Sequence, residues 1–449
     1  MIMDFNALKA AIQNAAKKLG VTEYEIYYMS SSDISVDTLN NEISNFSSGL
    51  AGGLCLRLVM DGKMGYASTE LMEETEMENL VERAIENAKY TEKEDTVGIF
   101  AGSASYEKPN VPDFVPKDAA TLKELALATS AAVYAESDAV QNGTSSAAMS
   151  SGCVIRLCNS HGLDLETSFG VNAVMAAAVV AKDGEVENNY SVKEMKDGLR
   201  PEDVAKEAVS EALEKIGAGH VESGKMNVII DGKQMRAILS VFSSAFSAKS
   251  AQMGMSLLAG KENTEIASSI VTISDDPKRE GLSIQSYFDA EGVAAYRKNV
   301  VENGVLKTLL HNRETAKRAG VETTGNASKG GYSSPVDISP YAFCIEAGAY
   351  TEDELFALAG NGVYITEVKG LHAGANAVTG DFSIESAGFV IKDGKKANAV
   401  KSFTIAGNFF ELLRSITALS NEVKFGVPGG KTTFGSPNVL IKDMSVAGK

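Results

Sequence analysis

Four cysteines in 449 residues, Cys55, Cys153, Cys158 and Cys344, are too few and too scattered for a disulfide framework. The four histidines, His161, His220, His311 and His372, include no two within one helical turn of each other. The paired imidazoles by which a helix-borne zinc hydrolase grips its metal are therefore missing. Basic residues are outnumbered, 42 Lys and Arg against 59 Asp and Glu, for a formal charge of −17. No Lys/Arg-rich run offsets this locally. Direct contact with nucleic acid is disfavoured, because that affinity comes largely from cations displacing phosphate counterions. No apolar run approaches the ~18–20 residues of a membrane helix. The start, Met-Ile-Met-Asp-Phe, lacks the basic opening and apolar core of a secretory signal, so a cytoplasmic protein is expected. Neither a Gly-x-Ser-x-Gly elbow nor a GxxxxGK[ST] phosphate loop occurs. Of only nine prolines, Pro109, Pro112 and Pro116 fall close together, which predicts a long internal loop over 91–117.

What is present is an ordinary globular composition, 44% apolar, in a chain long enough for two domains. Asp4 opens a predicted helix with Leu8, Ile12, Ala15 and Leu19 in step and Gly20 at its end. Strand-like segments over 24–30 and 33–39 follow. Asp61-Gly62 joins residues 52–59 to 63–67 as a hairpin, and Thr69 is expected to cap the next helix. A similar unit comes after the loop: a helix over 119–136, strands near 146–157 and 164–181, an Asp183-Gly184 turn, and a helix begun by Pro201. The repeat is one of element order only. Within the strand 146–157, Cys153 and Cys158 are five apart and so face opposite ways. They read as buried apolar thiols rather than a metal pair.

Residues 217–225 are polar and Gly-rich, and a buried strand restarts at 226–230. This places a boundary between domains 1–222 and 223–449. The second half carries hairpins at Asn303-Gly304 and Asp393-Gly394, a capping box from Thr351 to Glu354, and a helix predicted over 408–419. Strand and helix runs segregate, so the fold class is α+β: an N-terminal layered domain of hairpins and helices, then a C-terminal domain of largely antiparallel sheet with a few helices.

Among candidate binding residues, Gly325, Gly374, Gly380 and Gly407 let a backbone approach closely. Asn326 and Asn408 can bond an extended peptide, and Asp381 can do likewise or hold a cation. His372, in Gly370-Leu-His-Ala-Gly374, is the histidine expected to face a cleft, whereas His311 is expected at a solvated hairpin end. Each also has a plain structural reading as a turn or helix cap. β-Rich loops of this kind suit capture of a peptide by strand addition.

The order Asn376-Ala-Val-Thr-Gly-Asp-Phe-Ser383, Gly388-Phe-Val-Ile-Lys-Asp-Gly394, Ile405-Ala-Gly-Asn408 and Asn421-Glu-Val resembles the C-terminal domain of the TldD/PmbA family. Phe288-Asp-Ala-Glu-Gly292, the hairpin 300–306, Thr323-Thr-Gly-Asn326 and the N-terminal segments 41–46 and 52–69 add to the likeness. Catalytic TldD-type members carry HExxxH on the first long helix of that domain. The corresponding segment here, 234–250, has no His, Glu or Asp. The resemblance thus implies a PmbA/TldE-type member without a metal of its own, paired with a TldD-type subunit that carries the zinc and acting on unfolded or leader-peptide-like polypeptides. The family's other label, modulator of DNA gyrase, implies an indirect effect, given the charge. Two further readings stay open: a homodimeric peptide-binding protein, and an enzyme in which His372, Asp381 and Cys344 meet around a metal.

Overall fold

The computed structural model describes residues 4–92 and 97–449; residues 93–96 of the predicted 91–117 loop lie outside it. Its first half is one antiparallel sheet of β1 (Glu23–Leu39), β2 (Glu42–Met60), β3 (Lys63–Thr69), β4 (Ser145–Asn159), β5 (Asp164–Lys182) and β6 (Glu185–Glu194), in the order β3-β2-β1-β4-β5-β6. Helices α1 (Phe5–Lys18) and α2 (Glu74–Ala88) flank the first three strands in sequence, and α3 (Ala119–Glu136) and α4 (Pro201–Leu213) flank the last three. The repeat of element order is therefore a repeat of topology, mirrored about the β1–β4 pairing.

Local chemistry sets these boundaries. Asp4 accepts a bond from the N–H of Asn6 at 3.2 Å, capping α1. Asp61 and Gly62 both take positive φ, 53° and 76°, as a two-residue hairpin turn requires. All four helices cover one face of the sheet. There Ile26, Leu54, Leu56 and Leu58 pack on Leu8, Ile12 and Leu80, and Val174, Ala176 and Ala178 pack on Leu122, Val204 and Ala208. The opposite face, carrying Tyr27, Ile155, Leu157 and Phe169, packs on Ile284, Tyr287 and Phe288 of the second half. Cys158 lies on the helix side and Cys153 on the other, as strand alternation demands.

The second half is built around β7 (Gly224–Ile230). Strand order in its main sheet is Lys395–Asn408, Asp381–Lys392, Gly362–Lys369, β7, Val439–Ala447, Ile416–Leu419. All these neighbours are antiparallel except β7 with Gly362–Lys369. A smaller six-stranded sheet includes Ile273–Asp275, Ala342–Ile345 and Thr433–Ser436. Helix α5 (Gly232–Phe242) follows β7 into the largest core, where Phe242 stacks on Phe409 with ring centroids 4.5 Å apart.

Four local expectations are corrected. Thr69 accepts from the N–H of Leu71 at 3.1 Å and closes a turn, while the helix starts later, at Glu74. The helix predicted over 408–419 spans only Phe409–Arg414, because Ile416–Leu419 pairs with Val439–Ala447 and tertiary pairing overrides helical spacing. The helix predicted over 234–250 breaks at Ser243 into a 3-10 turn. There the Ser240 and Ser243 hydroxyls donate to the carbonyls of Ala237 and Ser240, competing with the helical ladder. His311 is buried, not solvated; its Nδ1 lies 3.2 Å from the Thr315 hydroxyl, and burial lowers its pKa.

Candidate functional site

A cleft of about 1140 Å³ separates β6 and α4 from the start of α5 and the main sheet of the second half. One wall brings Lys193, Glu207 and Glu211, the other Asp231, Lys233, Gln234 and Arg236, with Tyr364, Phe389 and Phe425 as apolar surface. Asp231 is buried at the β7–α5 turn. It caps α5 by accepting from the Lys233 N–H at 2.8 Å, and its other oxygen accepts from the Tyr364 hydroxyl at 2.5 Å and Lys424 Nζ at 2.7 Å. Burial, and then the charge of Asp231, hold that tyrosine hydroxyl protonated far above its usual range.

Across the cleft, Glu207 takes Lys193 at 2.7 Å together with Lys233, which also reaches Glu211 at 3.1 Å. Burial works against the charge of Glu207, but the hydrogen bonds from the two lysines prevail and lower its carboxyl to about 2. The Arg236 guanidinium donates to the carbonyl of Phe425. The groups named are thus committed to one another and form no nucleophile–base pair. Zinc does not fit here: α5 turns ammonium, amide and guanidinium groups to the cleft, and neither cation has a lone pair to give. Among the described residues no three His, Cys, Asp or Glu side chains converge as metal ligands. The arrangement of His372, Asp381 and Cys344 around a metal is thereby overturned. Cys344 is buried in the smaller sheet beside Ser274, and Asp381 is exposed on the main one.

Of the expected binding residues, Gly380, Asp381 and Asn408 share a set of hydrogen bonds that Gly325 and Asn326 do not enter among the described residues. Gly380, Asp381 and Asn408 come together: Asn408 Nδ2 donates to the Thr379 carbonyl at 2.8 Å and to Asp381 Oδ1 at 3.0 Å, and its Oδ1 accepts from the Phe410 N–H. Gly380, at φ 82°, accepts from the Phe409 N–H at 2.7 Å. His372 is exposed in the short helix Leu371–Gly374 of the preceding loop, which folds back through the Ala375–Phe382 bridge. Leu371, its neighbour, lines the cleft.

Gly325 and Asn326 lie elsewhere, in the buried layer. Asn326 donates to Asp275 at 2.7 Å and to the Ser339 carbonyl at 3.1 Å. Asp275 also accepts from Lys298 at 3.2 Å and from the Tyr341 N–H at 2.7 Å. Gly325 takes φ 66°, and its carbonyl accepts from the Tyr341 hydroxyl at 3.1 Å. Replacing Asn408 by alanine is expected to cost about 1–2 kcal/mol through the lost cap and its two companion bonds. Urea denaturation checks this, and an unchanged midpoint would show that the loop stands without it.

A second polar cluster escaped the sequence reading. Arg57 is buried between the halves, donating from Nε to Glu25 Oε1 at 2.8 Å and from Nη1 to Glu291 Oε1 at 3.3 Å. Glu291 Oε2 accepts from the Arg313 N–H at 2.8 Å. Asp289 accepts three backbone N–H groups, those of Glu291, Val293 and Ala327, at 2.9–3.0 Å. Burial nevertheless outweighs them and, with the nearby charge of Glu291, raises its pKa to about 7. The signal was available: one arginine interrupts the apolar run Leu54-Cys-Leu-Arg-Leu-Val59, and a buried strand tolerates that only with a paired charge.

Models of the PmbA/TldA metallopeptidase family match in three pieces: domain 1 over 24–88, the central domain over 112–216 and the C-terminal domain over 223–448. An uncharacterised protein of Methanocaldococcus jannaschii is 30% identical over 94% of this chain and 95% of its own length. The metalloprotease PmbA homologue of Haemophilus influenzae is 26% identical, covering 98% and 95% respectively. A Thermotoga maritima crystal structure, named as a candidate modulator of a DNA gyrase, superposes with a TM-score of 0.89 at 29% identity, over 99% of this chain and all of that one. TldE from Thermococcus kodakarensis shares the fold, with a TM-score of 0.87 at 24% identity over 98% of this chain and 100% of that one.

Proposed function

The chain belongs to the PmbA/TldD family of metallopeptidase-related proteins, and within that family we propose that it is the TldE-type subunit, without a metal of its own, of a zinc protease. A TldD-type partner would carry the HExxxH helix, and this chain would shape the passage for unfolded or leader-peptide-like polypeptides. One observation carries the reading: at the head of α5, where a catalytic member would present its metal ligands, this cleft is walled by Lys233, Gln234 and Arg236. The loop with His372, Gly380 and Asp381, anchored by Asn408, would meet the substrate at the end of the cleft near Leu371. Gly325 and Asn326 would act from the buried layer, by holding it in shape.

Pairing is supported by β2. It is bonded to β1 along its length but to β3 only from Leu54 to Met60. Residues 42–51 therefore offer a free edge among the described residues, with Phe46 55% and Leu50 73% exposed. Long apolar edges of this kind are normally covered. Purification of the tagged chain with a co-expressed HExxxH-bearing relative tests the reading, and near-equimolar recovery is expected. The double variant F46E/L50E should lower that recovery at least tenfold while leaving the melting temperature of the isolated chain in place. Recovery of the chain only with itself would instead support the homodimeric peptide-binder.

A further inference from the structure

The last strand of the first sheet, β6, has β5 as its one neighbour. Its other edge faces the cleft, which six consecutive residues, Asn189 to Glu194, line. Side chains of a strand alternate between two faces, so an unbroken run of lining residues means that the backbone edge itself meets the opening. The pairing with β5 runs from Lys182–Glu185 to Ala173–Glu194 without a bulge. In such an antiparallel pair, alternate residues turn their N–H and C=O away from the partner. Two bonds identify the outward set. The Asn188 carbonyl accepts from Lys215 Nζ at 2.9 Å, outside the sheet, whereas the Met195 N–H donates inward to Asn172 of β5 at 2.7 Å. Asn188, Tyr190 and Val192 therefore point outward, and the N–H and C=O of Tyr190 and Val192 have no partner among the described residues. Both ends of this edge are tied to the second half. Lys401 bonds Glu185 at 3.0 Å and also Glu187, and Lys196 Nζ donates to the Gly281 carbonyl at 2.8 Å.

We propose that the β6 edge from Asn188 to Glu194 binds one extended polypeptide by strand addition, and that it selects chains in which apolar and polar residues alternate. This rests on the peptide-passage reading above, and names where the substrate backbone is held and which pattern its side chains must bring. An added strand lays its side chains on the same two faces as its neighbour. On one face the guest residues meet Tyr190 and Val192, with Leu282 also in the cleft. On the other they meet Ser191 and Lys193, which bond Glu207 of α4 at 3.1 and 2.7 Å. At about 1140 Å³ the cleft exceeds the ~300–1,000 Å³ of pockets for small ligands. Seven residues of edge run for roughly 23 Å at about 3.3 Å each. A folded partner adding its own sheet needs open flanks, which the Lys401 and Lys196 contacts close. A single extended chain does not.

The test measures binding of a fluorescent seven-residue peptide, blocked at both ends and alternating valine with threonine, to the isolated full chain. It is compared with an isomer that has its valines in one block, and with single N-methyl derivatives of the alternating peptide. Strand addition has a period of two. N-methylation within one interleaved set of positions should therefore weaken binding tenfold or more, and within the other less than twofold. Sensitivity at the valines marks antiparallel addition, and at the threonines parallel addition. The block isomer should bind at least fivefold more weakly. V192P removes one outward N–H and leaves the β5 pairing intact, since edge strands tolerate proline; it should weaken binding tenfold or more at an unchanged melting temperature. The N-methyl scan uses the unaltered chain, so its result stands whether or not V192P folds. A scan without alternation, equal affinity for the block isomer, or no binding of the alternating peptide overturns the proposal. Three strands separate β6 from the β2 edge, so V192P should leave recovery of an HExxxH-bearing relative unchanged, and the two readings fail separately.

Discussion

Replacing Arg57 by methionine is expected to lower the stability of the chain by about 3–5 kcal/mol at neutral pH. The guanidinium bridges Glu25 and Glu291 across the two halves, and all three side chains are at most 3% exposed. Methionine fills much of the same volume, so the loss is electrostatic: two carboxylates are left in an apolar layer with no cation between them. Burial already holds the Glu25 carboxyl above its ordinary range. A carboxyl whose folded pKa is raised contributes stability that is present below its unfolded pKa and is lost as the pH rises. The penalty in R57M should therefore shrink on acidification toward pH 4–5, where the cluster takes up a proton, and be greatest near pH 7–8. Denaturant titrations at pH 5 and pH 7.5 measure it. A difference from the native chain below about 1 kcal/mol at both values would mean that the triad is not the clamp between the halves that its geometry implies.

The opposite sign is expected at Lys431. Its ammonium is buried against two aromatic rings, which lowers its pKa from 10.5 to about 8. Below pH 8 both folded and unfolded chains carry the proton, and the folded one bears the cost of burying it. Between pH 8 and about 10.5 only the unfolded chain is protonated, so the cost falls away as the pH rises. K431M removes the charge and keeps the stem. It should be more stable than the native chain by on the order of 2–3 kcal/mol at pH 7, with the advantage fading by about pH 10.5. Superimposable stability profiles of the two proteins across that range would refute it.

Much of the scaffold was legible because short-range chemistry fixed it. Asp61-Gly62, Asp183-Gly184 and Asp393-Gly394 all sit in positive-φ turns, and Thr351 with Glu354 forms the capping box that its spacing announced. The helix expected over 119–136 is found at Ala119–Glu136, opened by Asp118, whose carboxylate accepts from the Thr121 N–H. What stayed hidden depended on partners far away in sequence. Arg57 looks like an anomaly until Glu291, 234 residues on, is placed beside it. Ile416–Leu419 has a helical pattern and becomes a strand only because Val439–Ala447 is there to receive it. At the candidate site, Asp381 and Asn408 stand 27 residues apart and meet only because their strands pair. Neither that association nor the separation of Asn326 from it was legible, since turn residues do not specify which strand or face a loop will meet.

The position of β7 has a kinetic consequence. It sits inside the main sheet between Gly362–Lys369 and Val439–Ala447, and the latch beside it joins Ser223 to Gly448 across 225 residues. Neither neighbour exists when β7 leaves the ribosome, so the second half has no native sheet to nucleate on until most of the chain is made. Loop closure over such a span is slow to be rewarded by contacts. The first half has all six of its strands by Glu194 and can assemble earlier. During synthesis it would then wait with the Tyr27–Phe169 face uncovered, an apolar surface carrying a buried-to-be arginine. Refolding should accordingly show a fast phase from the first half and a slow one from the second. Chaperone dependence in the cell would trace to that interval rather than to weakness of the finished fold.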